Sequence, residues 1–380
     1  MSTATSTPDA TPRLRRSAPG LQTREIRSLI FVAILLIVAL AVLPQILSVY
    51  WVTICTAVAY YSVVAGGLGL LMGRVGLVSL GQIAVLAVGA WIACKLSFST
   101  SLPFPIVLLV TGLITMVLGT IIGLPALRLS GLYLALITLM LAGAITVALR
   151  TMQFPNGGPG FLGNDPNQSD PVRRPAIALT DVAYFRYTVV ICLILFAIAL
   201  WHVRGRAGHA WAAIRQSEPA AIAAGVNITL YKLWAFALAS FMTGVAGGLL
   251  AGDVQRLYAI TFTTQQSIIL LAVVLMGGIY SLWGGIIAGV FYSLVPALLN
   301  NWGVAADWLT ILFGVGVLQV LLTAPGGLSQ QFPRDMKNLY GLITGKKRKE
   351  RQAMQAPPGG EAGAPRAAVS DGPDQSGVVE

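Results

Sequence analysis

Long apolar segments follow one another from residue 29 to residue 323, separated by polar connections of which two, at 151–183 and 204–231, are long. Each is long enough for a helix that crosses ~30 Å of hydrocarbon, because a helical residue advances ~1.5 Å. A membrane β-barrel would instead show ~10-residue strands of alternating polarity. The pattern therefore predicts an all-α, polytopic membrane helix bundle of about ten transmembrane helices. The predicted spans are residues 29–47, 51–71, 76–96, 104–125, 131–150, 184–203, 232–252, 266–281, 284–300 and 305–323.

Two of these spans, 266–281 and 284–300, are short and are separated only by a few residues after the sequence GGIY. They are interpreted either as two full spans or as one broken or re-entrant element.

The composition agrees with a membrane protein. Hydrophobic residues make up 56% of the 380 residues and charged residues only 10%, whereas soluble domains carry about 25% charged residues. The net charge of +11 does not indicate nucleic-acid binding, because the charges lie in tails and short loops beside the apolar segments. That distribution is a topology signal.

Positive charges favour the cytoplasmic side of a membrane. With ten spans and a cytoplasmic N-terminus, nineteen of the 25 Lys and Arg residues fall inside. The sequence therefore predicts a multi-pass protein of the cytoplasmic, or inner, membrane with both termini in the cytoplasm. The predicted organisation is a disordered basic tail at 1–28, a transmembrane domain at 29–325 with a long outer loop at 151–183 and a polar cytoplasmic loop at 204–231, and a C-terminal tail at 326–380, largely disordered from about residue 345.

The polar loop, residues 204–231, contains the start and end signals of a short helix. Ser217 is a good N-cap, Glu218 and Pro219 suit the first turn, and Gly225 suits the far end. The acidic residue also complements the helix dipole. A short helix outside the bilayer offers a contact for a partner protein; the alternative is a solvated loop without a partner.

The predicted spans lack the groups that a coupled carrier or an enzyme requires. The acids nearest to them, Asp253 and Asp307, lie at predicted outer boundaries, and both histidines lie at one cytoplasmic edge. A proton- or sodium-coupled carrier usually keeps a carboxylate or His within its helices, and no catalytic set can be assembled. The three cysteines have no metal spacing and read as packing residues. The sequence therefore predicts no catalytic residue, metal site or cofactor.

Two glycine-rich stretches resemble nucleotide-binding motifs without fulfilling them. Residues 158–163 fit GxGxxG but lack the strand before and the soluble helix after it, and residues 341–347 have three residues between the glycines where a P-loop needs four. We therefore expect no nucleotide site in this chain.

Uncharged polar residues occur within the predicted spans. They either line a path for a polar solute or form hydrogen bonds between helices. The candidates for a translocation path are Ser79, Gln82, Thr138, Thr243 and Ser267.

Glycines four residues apart let helix backbones approach closely in lipid. Such pairs serve either packing within the chain or a dimer interface. They are Gly69 and Gly73, Gly119 and Gly123, Gly244 and Gly248, and Gly285 and Gly289.

Several stretches together resemble a known family. They are GLVSLGQIAVLAVGAW (76–91), RLSGLYLALITLMLA (128–142), NGGPGFLG (156–163), the polar loop with the segment after it (205–251) and IILLAVVLMGGIYSLWGGIIAG (268–289). The chain resembles the LivM-type permease subunits of bacterial branched-chain amino acid ABC importers, over most of residues 50–325. The most specific match is the polar loop, whose order of aromatic, Ala-Ile-Arg, Glu, Ala pair and Gly-Val-Asn is not a general membrane pattern.

The resemblance implies a function and a set of partners. The polar loop is similar to the coupling helix that docks into the ATPase subunit, a role that falls on Arg215, Glu218, Ala220, Ala221 and Gly225. The implied partners are a second, LivH-like permease subunit, two cytoplasmic ATPase subunits, an extracytoplasmic solute-binding protein and the lipid bilayer. ATP hydrolysis is then expected in the partners, and residues 29–325 form the permease domain.

The sequence departs from the family at two places, which leaves the solute open. Gln82 stands where relatives often have His, and Ala324 replaces an Arg of the Arg-Pro-x-Gly-Leu pattern. Urea and short-chain amide permeases are therefore an alternative to branched-chain amino acid permeases. A self-sufficient secondary carrier or channel and a membrane-embedded enzyme are further alternatives, from other functional classes.

The charge count generates a topology prediction. In intact cells, a membrane-impermeant thiol reagent should label cysteines introduced at 156–170 and should not label Ser217→Cys, because the bilayer separates the reagent from the polar loop. Permeabilised cells provide the control, in which Ser217→Cys becomes reactive. Labelling of Ser217→Cys in intact cells would contradict the predicted orientation.

Overall fold

A computed structural model gives the backbone of most of the predicted transmembrane domain. All regular structure in the described residues is helical, so the predicted all-α polytopic bundle is confirmed. The predicted tails at 1–28 and 326–380 and most of the predicted span 29–47 lie outside the described residues. Those residues are 43–126, 131–159, 162–163, 165, 170–303 and 306–323.

The described residues form thirteen α-helices, numbered here in chain order. Two π-helical turns, Leu71–Val75 and Val290–Leu294, directly follow α2 and α11, and a 3₁₀ turn lies at Ala259–Thr261. The α-helices are α1 Leu43–Ile46, α2 Val49–Leu70, α3 Gln82–Ser99, α4 Phe104–Ala126, α5 Leu132–Met152, α6 Asp181–Arg204, α7 Arg206–Gln216, α8 Glu218–Ala223, α9 Ile228–Val254, α10 Thr264–Gly277, α11 Leu282–Gly289, α12 Val295–Asn301 and α13 Ala306–Thr323.

Within the described residues, seven helical segments are long and apolar enough to cross a membrane, where the sequence predicted nine. They are Val49–Val75, Gln82–Ser99, Phe104–Leu124, Leu132–Met152, Asp181–Arg204, Ile228–Val254 and Trp283–Asn301. The predicted span at 266–281 corresponds to α10, which has only 14 residues where ~20 are needed. The predicted span at 305–323 corresponds to α13, which is not among the seven.

Glycines in left-handed conformations explain two boundaries that the sequence misplaced. The predicted span at 76–96 begins only at Gln82, because Gly76 has φ 85° and ends the π-helical turn. The predicted span at 266–281 ends at Gly277, because Gly278 has φ 108°. Residues 76–81 and 278–281 are therefore irregular connections, and both lie within glycine-rich stretches.

Contacts between distant residues define two ends of the bundle. At the polar-loop end, Arg215 contacts Gly73 and Tyr280. At the long-loop end, the rings of Phe154 and Phe262 stack with centroids 5.5 Å apart. Helix α10 follows Phe262 and precedes Tyr280, so this short helix and its flanks connect the two ends.

Helix α9 is the most buried of the seven spans and packs against α2, α3 and α4. Small residues allow this close approach: a Cβ added to Gly244 would lie 1.7 Å from the Thr115 hydroxyl oxygen, and one added to Gly119 would lie 1.9 Å from the Ser240 hydroxyl oxygen. All four predicted glycine pairs contact other parts of the same chain in this way. They therefore serve packing within the chain.

Candidate functional site

The short helix predicted in the polar loop is present as α8, and its end signals have the expected geometry. The Ser217 side chain accepts a hydrogen bond from the Ala220 amide at 3.4 Å, and Pro219 lies in the first turn. Beyond the far end, Gly225 adopts φ 78°, a conformation that glycine reaches without strain. Local sequence signals were therefore sufficient to predict this helix.

Helix α7, which precedes α8, is anchored to the start of α9 by an aromatic side chain. Trp211 is fully buried, and its Nε1 donates to the Tyr231 carbonyl at 2.8 Å. The bond joins positions on either side of α8. The side chain of Trp211 therefore ties α7 directly to α9.

Arg215 at the end of α7 contacts the π-helical turn Leu71–Val75 and the irregular connection 278–281. Its guanidinium donates to the Gly73 carbonyl and, at 2.8 Å, to the Tyr280 hydroxyl. The same group lies 4.5 Å from the centre of the Tyr280 ring, a cation–π geometry. The side chain that the family resemblance assigned to a partner thus also links three segments of its own chain.

Glu218 has a partner within the chain that the sequence did not indicate. Its Oε1 lies 2.7 Å from Lys232 Nζ, and the Glu218 side chain is 51% exposed whereas that of Lys232 is 6% exposed. An unpaired charge that deeply buried is costly. The carboxylate therefore stabilises the start of α9 in addition to its position in the first turn of α8.

The remaining residues of α8 separate into an inward and an outward face. Ala221 is buried, whereas Ala220 and Gly225 are exposed, as is Ile222 at 64%. An exposed apolar side chain on a short helix beside exposed backbone is suited to contact with another protein. Of the five polar-loop candidates, Ala220 and Gly225 belong to this exposed surface, and the half-exposed side chain of Glu218 contributes to it.

Four of the five polar residues predicted for a path meet around the start of α3. Gln82 Oε1 accepts from the Thr243 hydroxyl at 2.8 Å. The Thr138 hydroxyl accepts from the Leu80 amide at 2.9 Å and donates to the Ala135 carbonyl at 3.0 Å. All four residues are nearly fully buried. The bond between Gln82 and Thr243 is an interhelical contact, as in the alternative interpretation, and Thr138 joins α5 to the segment before α3. A role in a path stays a prediction.

Ser79 and Ser267 differ from the other candidates. Ser79, placed by the sequence within a span, lies in the irregular segment before α3, where its hydroxyl accepts weakly from the Gly81 amide at 3.4 Å. Ser267 lies in α10, and its hydroxyl is buried without a hydrogen-bond partner among the described residues. No hydrogen bond joins it to the cluster around α3 in the described part of the chain.

Asp253 is more deeply buried than its predicted boundary position suggests. Its carboxylate accepts from the Tyr60 hydroxyl at 3.4 Å, and it is 9% exposed. The neighbouring Arg174 donates to the carbonyls of Gly252 and Asp253 at 2.8 and 3.1 Å and forms an ion pair with Asp181 at 2.7 Å. Arg174 thereby fastens the long loop to α9 at the long-loop end.

Comparison with known protein families assigns the chain to a family of membrane permeases, in agreement with its all-helical fold. The family model described as "Branched-chain amino acid transport system / permease component" matches residues 50–321. The chain therefore belongs to this family of multi-pass membrane permeases, and the resemblance to LivM-type permeases is confirmed.

Two characterised relatives are similar over most of their length. The chain is 26% identical over 355 residues to the high-affinity branched-chain amino acid transport system permease protein LivM of Salmonella typhimurium (strain LT2). It is 25% identical over 355 residues to the protein of the same description from Escherichia coli (strain K12). Both alignments cover 86% of this chain and 81% of the relative. No solved structure matches the chain.

Thr138 generates a stability prediction. Thr138→Val keeps the shape of the side chain but leaves the Leu80 amide without its acceptor, which should lower the free energy of unfolding by about 1–3 kcal/mol. Thr138→Ser keeps the hydroxyl and should lose less. The thermal midpoint of the purified protein in detergent measures the difference; equal midpoints for Thr138→Val and wild type would show that this bond stabilises nothing.

Proposed function

We propose that the chain is a transmembrane permease subunit of an ATP-driven ABC importer that carries branched-chain amino acids across the cytoplasmic membrane. Its partners are a second, LivH-like permease, two cytoplasmic ATPase subunits that hydrolyse the ATP, and an extracytoplasmic solute-binding protein. Both termini and the polar loop face the cytoplasm. Membership of the permease family and the similarity to two LivM proteins support this assignment.

The observation that carries the proposal is the way the polar loop is attached. Helix α8 offers an exposed face with Ile222 and Ala220. Trp211 and Lys232 connect its surroundings to α9, and Arg215 connects them to the π-helical turn Leu71–Val75 and to the connection 278–281. A solvated loop without a partner requires no such attachment. In the proposed mechanism, ATPase subunits that close on ATP push α8, and these contacts pass the displacement to the transmembrane helices.

The five buried polar residues take their place in the same mechanism. Ser79 lies within the irregular segment 76–81, Thr138 binds Leu80 of that segment, and Thr243 binds Gln82 directly after it. Arg215 contacts Gly73 in the π-helical turn that precedes the segment. We propose that displacement of the polar loop opens this packed region and exposes Ser79, Gln82, Thr138 and Thr243 to the solute, and that Ser267 lines another part of the path. In the closed state these residues would form hydrogen bonds with one another and with neighbouring segments. In the open state the same residues would line the solute path.

The energy source distinguishes this proposal from a secondary carrier. In proteoliposomes that contain the complete importer, leucine uptake should require ATP and persist when ionophores collapse the proton and sodium gradients. We expect uptake without ion gradients because the buried carboxylate of Asp253, near Arg174, already accepts a hydrogen bond from Tyr60. We expect an ATP requirement because the proposed partners hydrolyse ATP, whereas this chain lacks a nucleotide motif. Isoleucine and valine should compete with leucine, and urea should not. Uptake without ATP would refute the importer, and competition by urea alone would favour the amide alternative.

Glu218 should be required for coupling beyond its pairing with Lys232. Glu218→Ala leaves the buried Lys232 charge unpaired and should destabilise the protein, by about 1–3 kcal/mol because the carboxylate is half exposed. The double variant Glu218→Ala with Lys232→Met removes that charge and should restore abundance in the membrane. Its leucine uptake and its recovery of ATPase subunits on purification should stay low, since the carboxylate is then missing from the docking surface.

The single variant Lys232→Met is the matched control, because it keeps the carboxylate and loses only its partner. It should keep more uptake than the double variant. If the double variant transports as well as Lys232→Met, Glu218 serves only to neutralise Lys232 and the proposed coupling role is wrong.

A further inference from the structure

A cavity of about 540 Å³ opens at the long-loop end of the bundle. It lies where α5 and α9 end and where the chain after each helix turns back. Its size falls in the range of small-molecule sites, ~300–1,000 Å³. The lining residues that matter here are Arg150, Gln153, Phe154, Val172, Gln255 and Arg256.

Two unusual backbone conformations border this cavity. Gln153 follows α5 with φ 55° and Gln255 follows α9 with φ 62°, and they are the only non-glycine residues with positive φ in the described part of the chain. Such conformations persist only where the surroundings hold them, and they concentrate at functional sites. Here Trp91 Nε1 donates to the Gln153 carbonyl at 2.8 Å, and the Val172 amide donates to the Gln255 carbonyl at 3.0 Å.

The two arginines that line the cavity are available to bind a ligand. Asp165 and Asp170 also line it, and both already interact within the chain. Arg150 and Arg256 are exposed, and among the described residues neither guanidinium has a hydrogen bond or an ion pair. Guanidinium groups bind carboxylates with short, charge-assisted hydrogen bonds. The cavity is therefore suited to a small anion-bearing molecule.

Part of the cavity lining is apolar. Phe154, Val172 and Cys94 line it and are buried at 6%, 3% and 1% exposure. The ring of Phe154 also stacks on that of Phe262. A lining that combines apolar side chains with two cationic groups fits a carboxylate that carries an apolar body, and it fits an inorganic anion poorly.

We propose that this cavity is a receiving site for the free solute on the outer side of the membrane. Arg150 and Arg256 bind the α-carboxylate of the amino acid, and its apolar side chain lies on Phe154 and Val172. The inference rests on the proposed function for the solute and for the orientation of the long loop. It adds a solute site within this chain, separate from the buried polar residues around α3.

Equilibrium binding of radiolabelled leucine to the reconstituted importer, with the solute-binding protein omitted, tests the site. Wild type should bind saturably, and Arg256→Gln and Arg150→Gln should each weaken binding roughly tenfold or more, the expected loss for a hydrogen bond to a charged group. Arg173→Gln is the matched control, because Arg173 is an exposed arginine of the long loop that does not line this cavity. Equal losses in all three variants, or none, would overturn the proposal.

Leucine analogues test the role assigned to the carboxylate. Unlabelled 4-methylpentanoate, which keeps the carboxylate and loses the ammonium group, should displace leucine in wild type. Leucinol, which lacks the carboxylate, should displace it at least tenfold less well. Equal displacement by both compounds would show that Arg150 and Arg256 do not bind the carboxylate.

Transport measured in the same vesicles separates the site from the function. Import of leucine with the solute-binding protein present, together with no saturable binding in its absence, would refute the site and leave the proposed function standing. Absence of leucine import in wild type would refute the proposed function itself. Arginine variants that bind free leucine normally, while responding less to the loaded binding protein, would identify the cavity rim as a protein-docking surface and overturn the proposal.

Discussion

The need to satisfy backbone polar groups inside an apolar bundle governs this structure. Residues 76–81 connect two transmembrane helices without regular structure, yet Ser79 and Gly81 are buried. Irregular backbone at such depth is tolerated only where the protein supplies the missing partners. Thr138 supplies an acceptor to the Leu80 amide and Arg215 a donor to the Gly73 carbonyl. A membrane helix thus holds the irregular segment, and the polar loop holds the π-helical turn directly before it.

Residues of the polar loop, the region proposed for coupling, also contribute to the stability of the protein. Arg215 and Lys232 both make contacts within the chain, one to the π-helical turn after α2 and the other between α8 and the start of α9. Substitutions at these positions are therefore expected to change stability as well as the proposed coupling. The two effects separate only when both members of an internal pair are replaced, as with Glu218 and Lys232.

The sequence was a good guide wherever the determining interaction is local. The cap at Ser217, the turn at Gly225 and the glycine pairs follow from residues a few positions apart, and the structure contains each of them. Long-range partners were not predictable. The bonds from Arg215 to Gly73 and to Tyr280 connect segments that only the tertiary fold brings together.

The predicted boundaries of two spans were wrong for a related reason. Hydropathy does not register the left-handed glycines at 76 and 278, so apolar turns were counted as helix. The roles assigned to Thr138 and Gln82 were left between two alternatives, because composition does not reveal which helices face them. The burial of Asp253 was also missed, since its partner Tyr60 lies in a distant helix.

Helix α9 has a length that exceeds what its membrane crossing requires. Its 27 residues extend about 40 Å, against ~30 Å of hydrocarbon. The same rod therefore carries Lys232 near one end and finishes beside Gln255 at the rim of the large cavity. One continuous helix therefore connects the polar-loop end of the bundle with the cavity at the long-loop end, so the two proposed sites share a single element of backbone.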